Sequence, residues 1–217
     1  MSLENGVKLD NVIILNKEIV IQDFSSQQVE KLMNIAKKDM SKPVSVWDCC
    51  AASGGKSILA KDVFGEIQLT VSDIRASIIA NLKKRFEDAG IKKYQAFVSD
   101  ISKPNHHKNK YNFIICDAPC TGSGTWCRTP EELYFFKKEE IDKFSNLQKK
   151  IAENALAQLQ SNGYLLYITC SVFTKENNKI VEYLIKKFNL KLIEQKYFEG
   201  FEMRADTMFA ALLKKNV

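Results

Sequence analysis

Histidine is almost missing from this chain: His106 and His107 are the two it has, side by side in a polar segment that reads as a surface loop. Its six cysteines, Cys49, Cys50, Cys116, Cys120, Cys127 and Cys170, include no C-x-x-C pair. That combination excludes the spaced Cys/His sets of structural zinc sites, so no metal is expected. Long apolar runs are lacking too. "YLLYITC" and "FAALL" fall far short of the roughly 20 residues that cross a bilayer. The opening "MSLENGVKLD" has no apolar core and no cleavage pattern, which excludes a signal peptide. These absences imply a soluble, cytoplasmic protein with reduced thiols and no membrane partner. There is no internal repeat, low-complexity run or dividing linker.

Two phosphate-binding fingerprints are incomplete. No G-x-G-x-x-G occurs, which argues against a dinucleotide and its pyrophosphate. The stretch "CCAASGGKS" (49–57) ends like a P-loop, but Cys50 stands where the first glycine is needed. A β-carbon there obstructs the wrap of backbone amides around a β-phosphate, so a triphosphate is disfavoured. Gly54 and Gly55 still allow the backbone to approach a compact ligand closely.

What is present suits one well-cored domain: 217 residues, 45% apolar and 27% charged. With 32 basic against 26 acidic residues the net charge is +6. Much of the excess sits in lysine and arginine clusters such as Lys83–Arg85, Lys149–Lys150 and Lys186–Lys187. Each reads first as a solvated helix face; together they permit a polyanionic partner. Oligomerisation has no signal, and a monomer is expected.

Apolar spacing alternates between two periods. Val29, Leu32, Met33, Ala36 and Met40 mark a helix face, with Ser25 or Ser26 as its N-cap. "VSVWD" (44–48), "IQLTVSD" (67–73), "YQAFVSD" (94–100), "YNFIICD" (111–117) and "GYLLYITC" (163–170) read as strands. Helical patterns fall between them, the longest over about 139–159. "LKLIEQ" (190–195) and "TMFAALLKK" (207–215) supply two more strands. Strand–helix alternation implies an α/β fold, a mainly parallel seven-stranded sheet with helices on both faces. The first four strands end in Asp48, Asp73, Asp100 and Asp117, and the fifth in Cys170. Ligands of such sheets sit beyond the strands' carboxyl ends, so four acids and a thiol are expected around one crevice.

Asp73, about 20 residues beyond the glycines, suits a carboxylate that accepts bonds from ribose hydroxyls. S-adenosylmethionine fits, with an adenosine for Asp73 and Asp100 and no phosphate to cradle. "DAPCTGSGTWCRTPEE" (117–132) puts an acid and a thiol on a stiffened loop and lacks the Asn/Asp-Pro-Pro-aromatic tetrad of amine methyltransferases. Thiols point to covalent chemistry. Carbon 5 of cytosine is too electron-poor to take a methyl group directly. A thiolate added at carbon 6 makes it nucleophilic, and an acid at ring nitrogen 3 relieves the charge.

"IVIQDFSSQQV" (19–29), "DCCAASGGKS" (48–57), the two "VSD" tripeptides, "DAPCTGSG" (117–124), "GYLLYITCSVFTKENNKIV" (163–181) and "RADTMFAALLKK" (204–215) together resemble the RNA cytosine-5 methyltransferases of the Sun/Fmu group, the RsmB/Nop/Sun family. The resemblance implies a class I, Rossmann-like methyltransferase fold with its last strand antiparallel. It implies Cys170 as the nucleophile at carbon 6, Cys120 assisting product release, and Asp117 against the base edge. Cys50, Ala51, Ala52, Ser53, Gly54, Gly55 and Lys56, with Asp73, Asp100 and Asp117, would hold S-adenosylmethionine. Ribosomal RNA is the expected substrate, with an unpaired or flipped target base. Residues 1–18 read as an extension, a tag scar plus the start of the domain. Residues 19–217 read as the catalytic domain, without the family's usual N-terminal RNA-binding module.

The chain departs from the family pattern in places. Ser53 replaces a usual proline, which implies a looser loop. Glu176-Asn177-Asn178 replaces Glu-Asn-Glu, and Thr207-Met208 replaces a usual aromatic or glycine pair. Cys49 and Cys116 read as core packing, Cys50 as packing beside the cofactor, and Cys127 as incidental. Lys56 is a candidate cation near the thiols or a partner for an acid. Trp126 and Arg128 are candidate RNA contacts. Competing readings are a transfer RNA methyltransferase of the same chemistry, a DNA cytosine-5 methyltransferase attacking through Cys120, and a non-catalytic RNA-binding scaffold.

Overall fold

The computed structural model describes residues 14, 18–104 and 109–216. His106 and His107 lie outside the described residues. The chain runs α1 (Phe24–Gln27), α2 (Glu30–Lys37), β1 (Val44–Asp48), α3 (Gly55–Phe64), β2 (Ile67–Asp73), α4 (Ala76–Asp88), β3 (Tyr94–Val98) and β4 (Tyr111–Asp117). It continues through α5 (Glu131–Phe135), α6 (Glu139–Leu156), β5 (Leu159–Thr169), α7 (Asn178–Phe188), β6 (Leu190–Phe198) and β7 (Met208–Lys215). The strands form one sheet in the order β3-β2-β1-β4-β5-β7-β6. β7 runs antiparallel between β5 and β6, and the other strands share one direction.

The sheet is covered on both faces, which explains near-continuous apolar strands such as "FIIC" in β4. One layer packs α2, α3 and α4 through Leu32, Phe64 and Phe86 against Val46, Phe113 and Leu166. The other packs α6 and α7 through Ile151, Leu156 and Leu184 against Ile114, Leu165 and Tyr167. Trp47 is buried in the second layer, where its indole N–H donates to Ser72 Oγ at 3.0 Å, so the ring goes inside without an orphaned donor. After β1 the chain first builds outward through β2 and β3, then returns to lay β4 on the other side of β1. Such a reversal opens a crevice at the strands' carboxyl ends, where the fold can seat a ligand.

Several local expectations change. Asp23, not Ser25 or Ser26, caps the first helix, its Oδ1 accepting from the Ser26 N–H at 3.1 Å. Both serines lie inside α1 and are buried. The apolar stripe of 29–40 belongs to a separate second helix. β3 ends at Val98, two residues before Asp100. Leu159 opens β5 instead of closing α6, because α6 stops at Leu156.

Candidate active site

β1 delivers the chain into the loop 49–54, which turns sharply before α3. The Ala51 N–H donates to Ser72 O at 2.9 Å and the Gly54 N–H to Ala51 O at 2.8 Å. Gly54 sits at φ +82, and a β-carbon there would lie 2.5 Å from Phe86 Cε1. The glycine is thus required both by its backbone conformation and by the closeness of α4. The loop and the ends of β2, β3 and β4 frame a cavity of 520 Å³, a size typical of small-molecule sites.

Cys50, Ala52, Asp73, Asp100 and Asp117 of the expected set line this cavity. Ala51 is buried beneath the loop, Ser53 faces solvent, and Gly54 and Gly55 turn into α3. Sequence reasoning missed Ile74 and Arg75 on the near wall, and Leu147 and Ile151 on the far one. A readable sign of Ile74 was an isoleucine directly after a strand-end acid. The α6 residues carried only ordinary core periodicity.

Asp73 accepts from the Ala52 N–H at 3.0 Å and from the Arg75 backbone N–H and Nε, both at 3.0 Å. Burial pushes its carboxyl up, and the Arg75 contacts more than offset this, leaving it below its ordinary value. The Ser102 hydroxyl, at 2.6 Å, likewise holds Asp100 down. Ionised acids on an otherwise largely apolar wall, with Arg75 already paired to Asp73, fit a cationic, phosphate-free nucleoside. S-adenosylmethionine is such a molecule.

Three acids share the crevice, not four. Asp48 is fully buried below the loop, where Ser57 Oγ donates to its Oδ2 at 2.6 Å and its Oδ1 has no protein partner. Burial raises its carboxyl from 3.8 to about 7. As pH rises from about 4 to about 7 the unfolded chain loses this proton and the native chain keeps it, so stability falls across that window. Asp48→Asn should remove this component. Urea melts at about pH 5 and about pH 8 should show the variant gaining on the native protein at the higher pH, by on the order of a few kcal/mol. Parallel pH profiles for the two proteins would refute the assignment.

The thiols meet just beyond the cavity. Cys120 Sγ lies 3.3 Å from Cys170 Sγ, although 50 residues separate them. Cys120 follows Pro119, which lines the cavity, and Cys170 follows the last residue of β5. The Cys120 thiol is pushed well up by its hydrogen bond to Cys170 and by burial. Lys56 points to this side, its Nζ 3.1 Å from Asp117 Oδ2 and donating to Ser26 Oγ at 2.6 Å. It pairs with the acid, as one of its two readings had it. All six cysteines are free thiols.

Backbone hydrogen bonds tie the two cysteine loops to each other and to the chain entering β7. The Gly124 N–H donates to Cys170 O at 2.8 Å, and Gly124 O accepts from the Thr207 N–H at 2.8 Å. Ser53 is tied instead of loose: Arg85 donates to its Oγ at 2.8 Å and to Ile21 O at 3.1 Å, so an ion–dipole clamp does what proline rigidity would have done. Arg128 forms a two-point ion pair with Asp206 at 3.1 and 2.8 Å, and Trp126 packs on Phe136 and Phe173. Both candidate RNA contacts therefore have partners inside the protein.

A family model described as 16S rRNA methyltransferase RsmB/F matches residues 19–214. The chain belongs to this family. It is 26% identical over 196 residues to ribosomal RNA small subunit methyltransferase B of Xanthomonas campestris, covering 85% of this chain and 44% of that one. It is 29% identical over 185 residues to the protein of that name from Escherichia coli, covering 78% and 42%. The chain thus spans less than half the length of these curated relatives. Among solved structures, NSun6 from Pyrococcus horikoshii with SFG superposes with a TM-score of 0.81 at 19% identity, covering 99% of this chain and 56% of that one. The shared fold is the Rossmann-like methyltransferase architecture. Among the described residues no helix is long and apolar enough to cross a membrane.

Proposed function

We propose that this domain methylates carbon 5 of a cytosine in ribosomal RNA, using S-adenosylmethionine, in the cytoplasm. The observation that carries the reading is the thiol pair, 3.3 Å apart, beside an acid-lined cavity of nucleoside size. Family membership supports ribosomal RNA as the substrate class, and a fold neighbour described with an analogue of S-adenosylmethionine supports the cofactor.

In this reading Asp73 and Asp100 hold the ribose and adenine side of the cofactor, and Cys50 and Ala52 supply the floor. The bound cofactor supplies one electrophilic methyl group to carbon 5. The Cys170 thiolate adds to carbon 6, forming a C–S bond as the 5,6 double bond opens. Asp117, steadied by Lys56, accepts from the amino edge of the base. Cys120 gives its own proton to solvent and takes the one lost from carbon 5; the 5,6 double bond re-forms, and the C–S bond breaks to return the Cys170 thiolate. A stacked base hides carbon 6, so the target cytosine must be unpaired or extruded.

The test is incubation with labelled S-adenosylmethionine and defined ribosomal or transfer RNA transcripts, with the modified base mapped. Label in 5-methylcytosine of the ribosomal transcript is expected. Label confined to transfer RNA would move the substrate assignment, and label on another base would overturn the chemistry.

A further inference from the structure

Glu176 is a fully buried carboxylate in contact with the segments that carry both thiols. Its Oε1 accepts from the Thr121 N–H at 2.9 Å and from Gln148 Nε2 at 3.1 Å. Its Oε2 accepts from Thr121 Oγ1 at 2.6 Å and from Ser171 Oγ at 2.5 Å. Thr121 directly follows Cys120, and Ser171 directly follows Cys170. The same Gln148 amide also donates to Pro119 O, on the other side of Cys120, at 3.0 Å.

A carboxylate offers about four lone-pair sites, and here four donors fill them. Such a network offsets the cost of burying the charge and fixes its members in one geometry. No group of the proposed chemistry explains an acid at this position, since it lies behind the thiols and not in the cavity lining. What it contacts is the backbone and side chains adjoining each sulfur.

We propose that Glu176 is the positioning residue of the thiol pair, its one carboxylate holding the chain just past Cys120 and the chain just past Cys170 so that the sulfurs stay in contact. Its reach is the property that matters. Glu176→Asp keeps the charge but retracts the carboxylate by one methylene, too short to serve both loops. Glu176→Gln keeps the reach, and because the Thr121 and Ser171 hydroxyls can turn to accept from its amide, the tether survives. The role in catalysis rests on the thiol chemistry proposed above; the role in geometry does not.

The test therefore uses two readouts. The first is diamide cross-linking of the folded protein, in which both thiols lose hydrogen, one S–S bond forms and the diamide N=N bond takes up two electrons and two protons. Peptide mapping of the 120–170 link gives its rate without RNA. The second is the rate of covalent RNA adduct formation, read with Cys120→Ser added so that release is blocked. Glu176→Asp should slow cross-linking at least about tenfold and adduct formation about 100-fold, the scale of a misplacement near 1 Å, with S-adenosylhomocysteine binding unchanged. Glu176→Gln should cross-link at close to the native rate. If Glu176→Asp cross-links and forms adduct at native rates, the proposal is overturned. If Glu176→Asp does not fold, Ser171→Ala, which removes one tether, decides: slowed cross-linking supports the proposal and a native rate overturns it. A native protein that cross-links readily, but whose Cys120→Ser variant never accumulates an RNA adduct, would sink the reaction assignment and leave the positioning role standing.

Discussion

Cys120→Ser accumulates a covalent protein–RNA adduct on incubation with substrate RNA and S-adenosylmethionine, and Cys170→Ser forms none. That is the expected pair of results if Cys170 attacks and Cys120 releases. The Cys120 thiol is pushed up by its hydrogen bond to Cys170 Sγ, 3.3 Å away, and by burial. In the proposed reaction it stands beside the attacking sulfur, placed to take the carbon 5 proton once its own has left for solvent. Without it the adduct lacks a positioned group to carry the carbon 5 proton away, a loss worth roughly 10²–10⁴-fold in the release step. Serine at 170 is no substitute, since a hydroxyl is far less acidic and less nucleophilic than a thiol. Denaturing gels of labelled RNA read the outcome directly. The opposite pattern, adduct with Cys170→Ser and none with Cys120→Ser, would assign attack to Cys120, as in the DNA enzymes. No adduct in any form, together with no methyl transfer, would favour the scaffold reading.

Gly124→Ala should be nearly as damaging, for a purely steric reason. A β-carbon at Gly124 would lie 2.0 Å from Thr207 O and 2.9 Å from Cys170 O. Both obstacles are backbone, so neither can rotate away. The two hydrogen bonds through Gly124 must lengthen together, and the Cys170 segment shifts with them. The expected cost is about 1–3 kcal/mol of stability and about 100-fold in methyl transfer, from misplacement of the nucleophile. Gly122→Ala is the matched control. It occupies a left-handed conformation at φ +70, yet its added carbon meets only Thr125 Oγ1, at 3.7 Å. It should lose about 1–2 kcal/mol from backbone strain and most of its activity should remain. Methyl transfer and denaturant melts of the two variants side by side check this; a Gly124→Ala protein with native turnover would show that the Cys170 segment tolerates displacement.

Much of the scaffold was readable in one dimension because burial imposes a period. The strands 44–48, 67–73 and 111–117 were legible to the residue, since 67–73 alternates with period two, 111–117 is an almost unbroken apolar run, and each ends abruptly in an acid. The acids at 73, 100 and 117 were legible as cavity residues for the same reason: strand ends on one edge of a parallel sheet face one crevice. Asp48 broke that rule. It is buried like its strand, and its Oδ2 accepts from the first turn of α3 instead of facing the cavity. The capping residue of α1 was missed because Asp23, Ser25 and Ser26 are all competent caps, and the choice depends on where the helix starts.

The sequence by itself determined the order of elements, the glycine turn at residue 54 and the presence of two thiols on two strand-end loops, because these follow from local backbone preference and the spacing of apolar residues. Only the tertiary structure decided that those thiols touch, that Lys56 pairs with Asp117 across 61 positions, and that Arg128 binds Asp206 across 78. It also decided that Glu176 serves both thiol loops, 55 residues from one and 5 from the other. Hydrogen-bond partners so far apart leave no periodic trace, since each requires only that one donor and one acceptor arrive at the same point once the sheet has closed.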